Sequence, residues 1–210
     1  MLIQSTPAEQ RTVLNNVSWD TFEALLTDTG EHRGSRFAYD CGTLEIMSPG
    51  FLHENTKGQF DHFIIVLAEL FNTELISAGS TTLKLKTVKN AIEPDQSYYI
   101  QNWQLMRGKR DLDLNIVPPP DLAIQIDITP SGVNKFDIYA ALKVPELWRY
   151  NGEVLQFYQL VEKQYIEIKS SLAFPLISGN DISRFLEQSY TLGEIAVIRL
   201  FRAWAGEKIK

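Results

Sequence analysis

The sequence is poor in the residues that build the commonest catalytic and structural sites. Its 210 residues include one cysteine, Cys41, so neither an internal disulfide nor a multi-cysteine zinc site can form. Only three histidines occur, and there is no glycine-rich phosphate loop, dinucleotide fingerprint, paired-histidine metal helix or Gly-x-Ser-x-Gly elbow. These absences leave most nucleotide-binding, zinc-hydrolase and serine-hydrolase classes without support.

Long apolar runs and targeting signals are also lacking. Residues Met1–Gln10 have neither a basic start nor an apolar core, and no apolar stretch approaches the ~20 residues that span a bilayer. We therefore expect a cytoplasmic protein with no membrane partner. A net charge of −6 disfavours nonspecific coating of nucleic acid, which depends on Lys and Arg, but it does not exclude an enzyme that binds DNA locally.

The length and the 44% hydrophobic content suit one globular domain. We predict an irregular lead-in over residues 1–17 and a single domain over 18–210. Hairpins and helices alternate around one sheet, which indicates an α/β or α+β mixed-sheet fold. Cys41 is predicted to be a turn residue rather than a nucleophile.

The predicted elements are a hairpin over 36–48, a helix over 52–72, strands over 81–88, 98–100 and 122–128, a helix over 133–142, a hairpin over 146–160, and a final helix opened by a Thr191–Glu194 capping box.

Two acidic features at strand ends could carry chemistry. In Glu93-Pro94-Asp95 the proline fixes the backbone and presents the Asp95 carboxylate at a defined point. Gln125 and Asp127 share one face of an otherwise apolar strand, because side chains alternate along a strand. A polar face on a central strand is costly unless it is satisfied, which favours a functional cleft. The alternatives are a solvated strand end for Asp95 and a partly exposed polar strand face for the pair.

Three lysines complete the set of candidates. Lys135 lies where the helix after the Gln125–Asp127 strand begins, so its amine can fold back over the strand end; alternatively it is a surface lysine. Lys84 and Lys86 alternate with apolar residues on the 81–88 strand and could contact phosphates from one face. An exposed strand face is an equally good interpretation of that pair.

The order of these segments resembles the Uma-type family of bacterial restriction endonucleases, which looks like a branch of the PD-(D/E)XK nuclease superfamily. The resemblance spans roughly residues 18–170. It is carried by the segments Leu44–Pro49 followed by His53-Glu54, Glu93-Pro94-Asp95, Asp121–Ser131, Lys135 with Tyr139, and Val144–Tyr150.

This resemblance implies a restriction-endonuclease-like core with an N-terminal β-hairpin and helix and a C-terminal helix. It also implies a Mg²⁺ (or Mn²⁺) endonuclease that hydrolyses DNA. Asp95, Gln125 and Lys135 match the catalytic motif, while Asp95, Asp127 and Glu54 are the predicted metal ligands. Gln125 falls where the family usually has glutamate, and a neutral amide is a weaker Mg²⁺ ligand.

That departure leaves two alternatives open. Asp127 could replace the missing carboxylate, or the chain could be a catalytically impaired nuclease-like module that binds nucleic acid or a protein partner. Lys84 and Lys86 are the predicted nucleic-acid contacts in either case. A homodimer is also left open, because cutting both strands of a duplex is often done by a symmetric pair.

Overall fold

The computed structural model describes residues 9–30 and 33–210, which form strands and helices in mixed order. The strands are β1 (Glu9–Leu14), β2 (Arg36–Asp40), β3 (Thr43–Pro49), β4 (Ile76–Ser77), β5 (Leu83–Leu85), β6 (Asn90–Ile92), β7 (Gln96–Tyr99), β8 (Leu122–Ile126), β9 (Glu146–Tyr150), β10 (Leu155–Val161) and β11 (Gln164–Ile168). The helices are α1 (Trp19–Thr29), α2 (Phe51–Leu70), α3 (Trp103–Met106), α4 (Lys135–Ala141), α5 (Gly179–Gln188) and α6 (Glu194–Lys208). In the described ranges, no helix has the length and apolar character needed to cross a membrane.

The strands form two sheets. The first has five strands in the order β1-β3-β2-β6-β5, and every neighbouring pair is antiparallel. The second has six strands in the order β11-β10-β9-β8-β7-β4 and contains one parallel pair, β8 with β9. Because a parallel pair needs a crossover, α4 connects β8 to β9. The predicted mixed α/β fold is confirmed, with two sheets instead of one.

The largest apolar core lies between the second sheet and helices α2, α5 and α6. Phe60, Phe63, Ile64 and Leu67 of α2 are fully buried there, and Phe63 lies 4.4 Å from Phe201 of α6, measured between ring centroids. Trp148 of β9 stacks on Phe157 of β10 at 4.3 Å. This packing fixes β8 and β9 in the interior, so the polar groups at their ends are held in a rigid frame.

The two hairpins predicted over 36–48 and 146–160 are confirmed. Cys41 lies in the turn between β2 and β3, with a φ of 45°, and its side chain is exposed. Gly152 has a φ of 97° in the turn between β9 and β10, a conformation that glycine adopts without strain.

Three of the departures from the predicted elements concern β1, β5 and the start of α6. Residues 9–14 form strand β1 instead of an irregular lead-in, because the segment pairs with β3 along its whole length. The strand predicted over 81–88 ends at Leu85, and a turn with Lys89 at a φ of 54° leads into β6. The predicted Thr191–Glu194 capping box is wrong, since Gly193 caps α6 without a side-chain bond. A capping box does occur at Ser178 and Asp181, where α5 begins.

Candidate functional site

A cluster of charged and amide side chains lies where the two sheets meet. Both sheets contribute to it, and α2 and α4 each add one cation. Its members, called here the charge cluster, are Glu9, Arg11, Arg36, Glu45, His53, Asp95, Gln125, Asp127, Lys135 and Arg149. Its four carboxylates are buried, so each must be paired to offset its desolvation.

Asp95 is fully buried and immediately precedes β7. Its backbone N–H donates to the carbonyl of Ile124 at 3.1 Å, which anchors it beside β8. Its Oδ1 lies 2.7 Å from Nε2 of His53 and 3.3 Å from Nε of Arg36. Burial would raise the pKa of the Asp95 carboxyl, but the hydrogen bond and charge of His53 outweigh it and hold the pKa below its usual range.

Gln125 joins the two aspartates. Its Nε2 donates to Oδ2 of Asp95 at 3.0 Å and to Oδ1 of Asp127 at 3.3 Å. Its Oε1 accepts from the hydroxyl of Tyr139 at 3.0 Å. Burial raises the pKa of Tyr139 well above its ordinary value, so this hydroxyl keeps its proton and donates. The amide orientation follows, because the reverse would set a carbonyl oxygen against two carboxylates. The other donor to Asp95 Oδ2 is the backbone N–H of Ile126, at 2.6 Å.

Asp127 follows β8 directly, and its backbone N–H donates to the carbonyl of Tyr150 at 2.8 Å. Its Oδ1 accepts from Nζ of Lys135 at 2.6 Å and from the guanidinium of Arg11 at 3.2 Å. Its Oδ2 accepts from Nε of Arg149 at 3.3 Å. Lys135 is the first residue of α4 and folds back over the end of β8, as the sequence predicts.

His53 links Asp95 to the first sheet. Its Nδ1 lies 2.8 Å from Oε1 of Glu9, while its Nε2 contacts Asp95. Burial lowers the pKa of His53, but the two carboxylates raise it by more, to about 9. The ring is therefore protonated near neutral pH and donates from both nitrogens. Glu9 also accepts from the backbone and the hydroxyl of Thr129. The hydrogen bond from His53, with those from the Thr129 hydroxyl and Arg11, holds the pKa of Glu9 well below the usual range despite burial.

The remaining predicted residues lie at the rim or elsewhere. Glu54 is 44% exposed and reaches the cluster only through Arg36, whose guanidinium contacts it at 2.9 Å. Lys84 lies on β5, at the sheet edge opposite β1, and pairs with Glu23 at 2.8 Å. Lys86 follows β5 and lies 3.7 Å from Asp20. The structure thus brings together Asp95, Gln125, Asp127 and Lys135, and leaves the other three outside.

Sequence reasoning missed part of the cluster. Arg11 donates to Glu45 at 2.5 Å, and Glu45 also accepts from the backbone of Gly132 at 2.6 Å. The available signal was the alternation of Glu9 and Arg11, which places opposite charges on one strand face. Arg36, Glu45 and Arg149 had no comparable signal, since none of them has an opposite charge two positions away in the sequence.

An open cavity of about 310 Å³ adjoins the cluster. Asp127, Lys135 and Arg149 line its polar side, and Phe136 lies beneath the Arg149 guanidinium, 5.5 Å from ring centroid to Cζ. Arg149 is 37% exposed, so its guanidinium is accessible to a solute. Two cations beside a solvent-filled space form a suitable environment for an anionic group.

In this arrangement the cluster does not fit a divalent cation. Both oxygens of Asp95 are occupied by donors, and Gln125 directs N–H groups, not its carbonyl, at the aspartates. The gap enclosed by residues such as Arg36, Glu45 and Lys135 measures about 10 Å³, room for one water. Within residues 9–30 and 33–210, no group of three or more His, Cys, Asp or Glu side chains is placed to hold a metal ion.

Comparison with known proteins identifies the fold and the family. The crystal structure of a putative nuclease belonging to DUF820 from Anabaena variabilis ATCC 29413 is similar to this chain, with a TM-score of 0.55 and 13% sequence identity. The match covers 81% of this chain and 99% of that one, and at this identity the likeness is one of fold. No curated protein matches the chain. Residues 19–184 match the family Uma2, described as "Putative restriction endonuclease", so the predicted resemblance is confirmed and the chain belongs to the Uma2 family.

Proposed function

We propose that this protein is an endonuclease that binds DNA at the cavity beside Asp127 and hydrolyses its phosphodiester bonds. One observation carries the proposal. Asp95, Asp127 and Lys135, predicted from three separate segments, converge through the Gln125 amide beside an open cavity. Membership of a family described as putative restriction endonucleases supports the same class of reaction.

The cavity suggests a role for each side chain. Arg149 can donate two hydrogen bonds to one phosphate, because its guanidinium is partly exposed and held by Phe136. Lys135 can neutralise the charge that develops on the phosphoryl oxygens. Asp127 Oδ2, which accepts from Arg149 alone within the described ranges, can orient the attacking water and accept its proton. The water oxygen forms a bond to phosphorus, the phosphorus–oxygen bond to the leaving group breaks, and the leaving oxygen takes a proton from solvent.

Mg²⁺ or Mn²⁺ remains the predicted cofactor, so the test includes both ions. Wild-type protein is incubated with duplex DNA, single-stranded DNA and RNA, with Mg²⁺, with Mn²⁺ or with EDTA. We expect cleavage of DNA, a loss of at least about tenfold in Asp127→Asn and Lys135→Met, and a gain in Gln125→Glu. Asp28→Asn, an exposed carboxylate on α1, is the matched control. No cleavage by the wild type together with none by Gln125→Glu would contradict hydrolysis.

A second candidate is favoured by the Gln125 amide. Because it replaces a carboxylate between Asp95 and Asp127, the site could bind the DNA backbone without cutting it. Fluorescence anisotropy with labelled duplex DNA separates the two candidates. Binding that weakens in Arg149→Gln, with no product after long incubation with either ion, supports the binding module. A homodimer stays a prediction for either candidate.

A further inference from the structure

Strand β1 lies outside the part of the chain that matches the family, whereas the other residues of the charge cluster lie inside it. It lies at the edge of the first sheet and pairs with β3 alone. It also precedes residues 19–184, the part of the chain that matches the family. Yet alternate residues of this strand, Glu9 and Arg11, enter the charge cluster. The strand therefore adds groups to the site from outside the residues of this chain that match the family.

Arg11 occupies the centre of a carboxylate-rich space. Its NH1 donates to Glu45 at 2.5 Å, and its NH2 contacts Glu9 at 2.7 Å and Asp127 at 3.2 Å. Its Nε donates to the hydroxyl of Thr129 at 3.0 Å. Only 8% of the side chain is exposed. One guanidinium thus joins three carboxylates and a hydroxyl, a set of hard oxygen atoms that Mg²⁺ or Mn²⁺ would otherwise favour.

We propose that Arg11 is the resident cation of this site: strand β1 closes it to divalent ions, and an ion binds only when the Arg11 guanidinium is withdrawn. This inference deepens the proposed function by assigning its regulation, and it rests on that function only where cleavage is concerned. It also accounts for the poor fit of the cluster to a divalent ion, since the Arg11 guanidinium already pairs with the oxygens of Glu9, Glu45 and Asp127.

The test measures Mn²⁺ binding directly, by electron paramagnetic resonance of free Mn²⁺ and by the melting temperature. The wild type is expected to show no saturable binding and no rise in melting temperature. Arg11→Gln should bind Mn²⁺ about 10- to 100-fold more tightly, and Mn²⁺ should raise its melting temperature. The variant exposes three carboxylates to one another, so its metal-free form should melt below the wild type.

Arg149→Gln is the matched control. It also removes a guanidinium that contacts Asp127, but from the cavity side, where Arg149 is partly exposed. We expect it to gain no Mn²⁺ binding. An equal gain in Mn²⁺ affinity in this variant would mean that the loss of one positive charge explains the effect. That result would overturn the assignment to Arg11. Saturable binding by the wild type, as tight as that of Arg11→Gln, would overturn it as well.

A second variant covers the case in which Arg11→Gln does not fold. Arg11→Lys keeps the positive charge but loses the planar fork that reaches Glu9, Glu45 and Asp127 together. It should bind Mn²⁺ more tightly than the wild type, and no gain would contradict the proposal.

Cleavage assays on the same proteins keep the two proposals distinguishable. If Arg11→Gln binds Mn²⁺ while no variant cuts DNA, the inference about Arg11 holds and hydrolysis fails. If the wild type both binds Mn²⁺ and cuts DNA at full rate, hydrolysis holds and the inference about Arg11 fails.

Discussion

Two regions of this protein bury carboxylates, and they do so by opposite means. In the charge cluster, the carboxylates face cations, and the pKa of Asp95 is held down by protonated His53. At the start of β9, Glu146 is equally buried but faces neutral donors: the indole of Trp148 at 2.8 Å and the backbone N–H groups of Leu172 and Ala173 at 3.1 and 2.9 Å. Burial there outweighs these bonds and raises the pKa of Glu146.

The contrast separates a carboxylate held by neutral donors from one held by cations. Neutral donors fix the Glu146 carboxyl to the segment after β11, but they bring no positive charge to offset its burial, which raises its pKa. Cations instead keep Asp95 ionised in the interior and create a charged environment next to an open cavity. A strongly shifted pKa is therefore not enough to mark a functional site; the direction of the shift and the charge of the partners decide.

The largest expected effect comes from breaking the charge pairing. Asp127→Ala leaves Lys135 and Arg11 buried without one of their partners, and we expect a loss of about 3–5 kcal/mol in the free energy of unfolding. Urea denaturation at neutral pH measures it. Asp28→Ala, on the exposed face of α1, is the control and should be unchanged within error. A loss below about 1 kcal/mol would mean that the cluster does not depend on its pairing.

The next effect concerns pH. His53 has its folded pKa raised from 6.5 to about 9, so the folded state holds a proton that the unfolded state releases in that range. The resulting stabilisation is complete below pH 6.5 and is lost as pH rises towards 9, by an amount on the order of 3 kcal/mol. We expect stability to fall across this range in the wild type and to stay nearly flat in His53→Gln. Parallel pH profiles of the two proteins would contradict the assignment.

Glu146→Gln should have a smaller effect. The substitution sets an amide against the N–H of Ala173, and we expect it to cost about 1–3 kcal/mol. Because the folded pKa of Glu146 is raised, its carboxyl stabilises the fold most at low pH and loses that contribution as pH rises above 4.5. The cost of the substitution should therefore shrink from pH 4 to pH 7. An increasing cost would indicate that Glu146 is ionised and paired like Asp95.

The smallest effect is expected at the outer edge of the first sheet. Lys84 is 45% exposed and pairs with Glu23, so Lys84→Ala should change stability by less than about 1 kcal/mol. DNA affinity of the same variant tests the predicted phosphate contact. Weakened binding with a reduced salt dependence would support that contact, and unchanged binding would restrict the nucleic-acid surface to the cavity near Arg149.

The sequence predicted the parts of the site that local patterns determine. The apolar alternation of β8 placed Gln125 and Asp127 on one face, and the helix predicted over 133–142 is present as α4, which begins at Lys135. The alternation of Glu9 and Arg11 signals only that they share a strand face; it does not identify their partners Asp127 and Thr129, which lie 116 and 120 positions away. Glu45 was missed for the same reason: its partners Arg11 and Ser131 come from distant segments. Charge complementarity between distant strands leaves no periodic signal.

The distance along the chain between Arg11 and Thr129, 118 residues, has a consequence for the order of folding. At a synthesis rate of roughly 5–20 residues per second, the amino-terminal segment waits on the order of ten seconds for residues 127–129 to be made. Until then Glu9 and Arg11 have no partners in the second sheet, and such long-range contacts are intrinsically slow to form. The charge cluster is therefore completed late in translation. Until then, the acidic side chains of the nascent chain lack their partners from the second sheet.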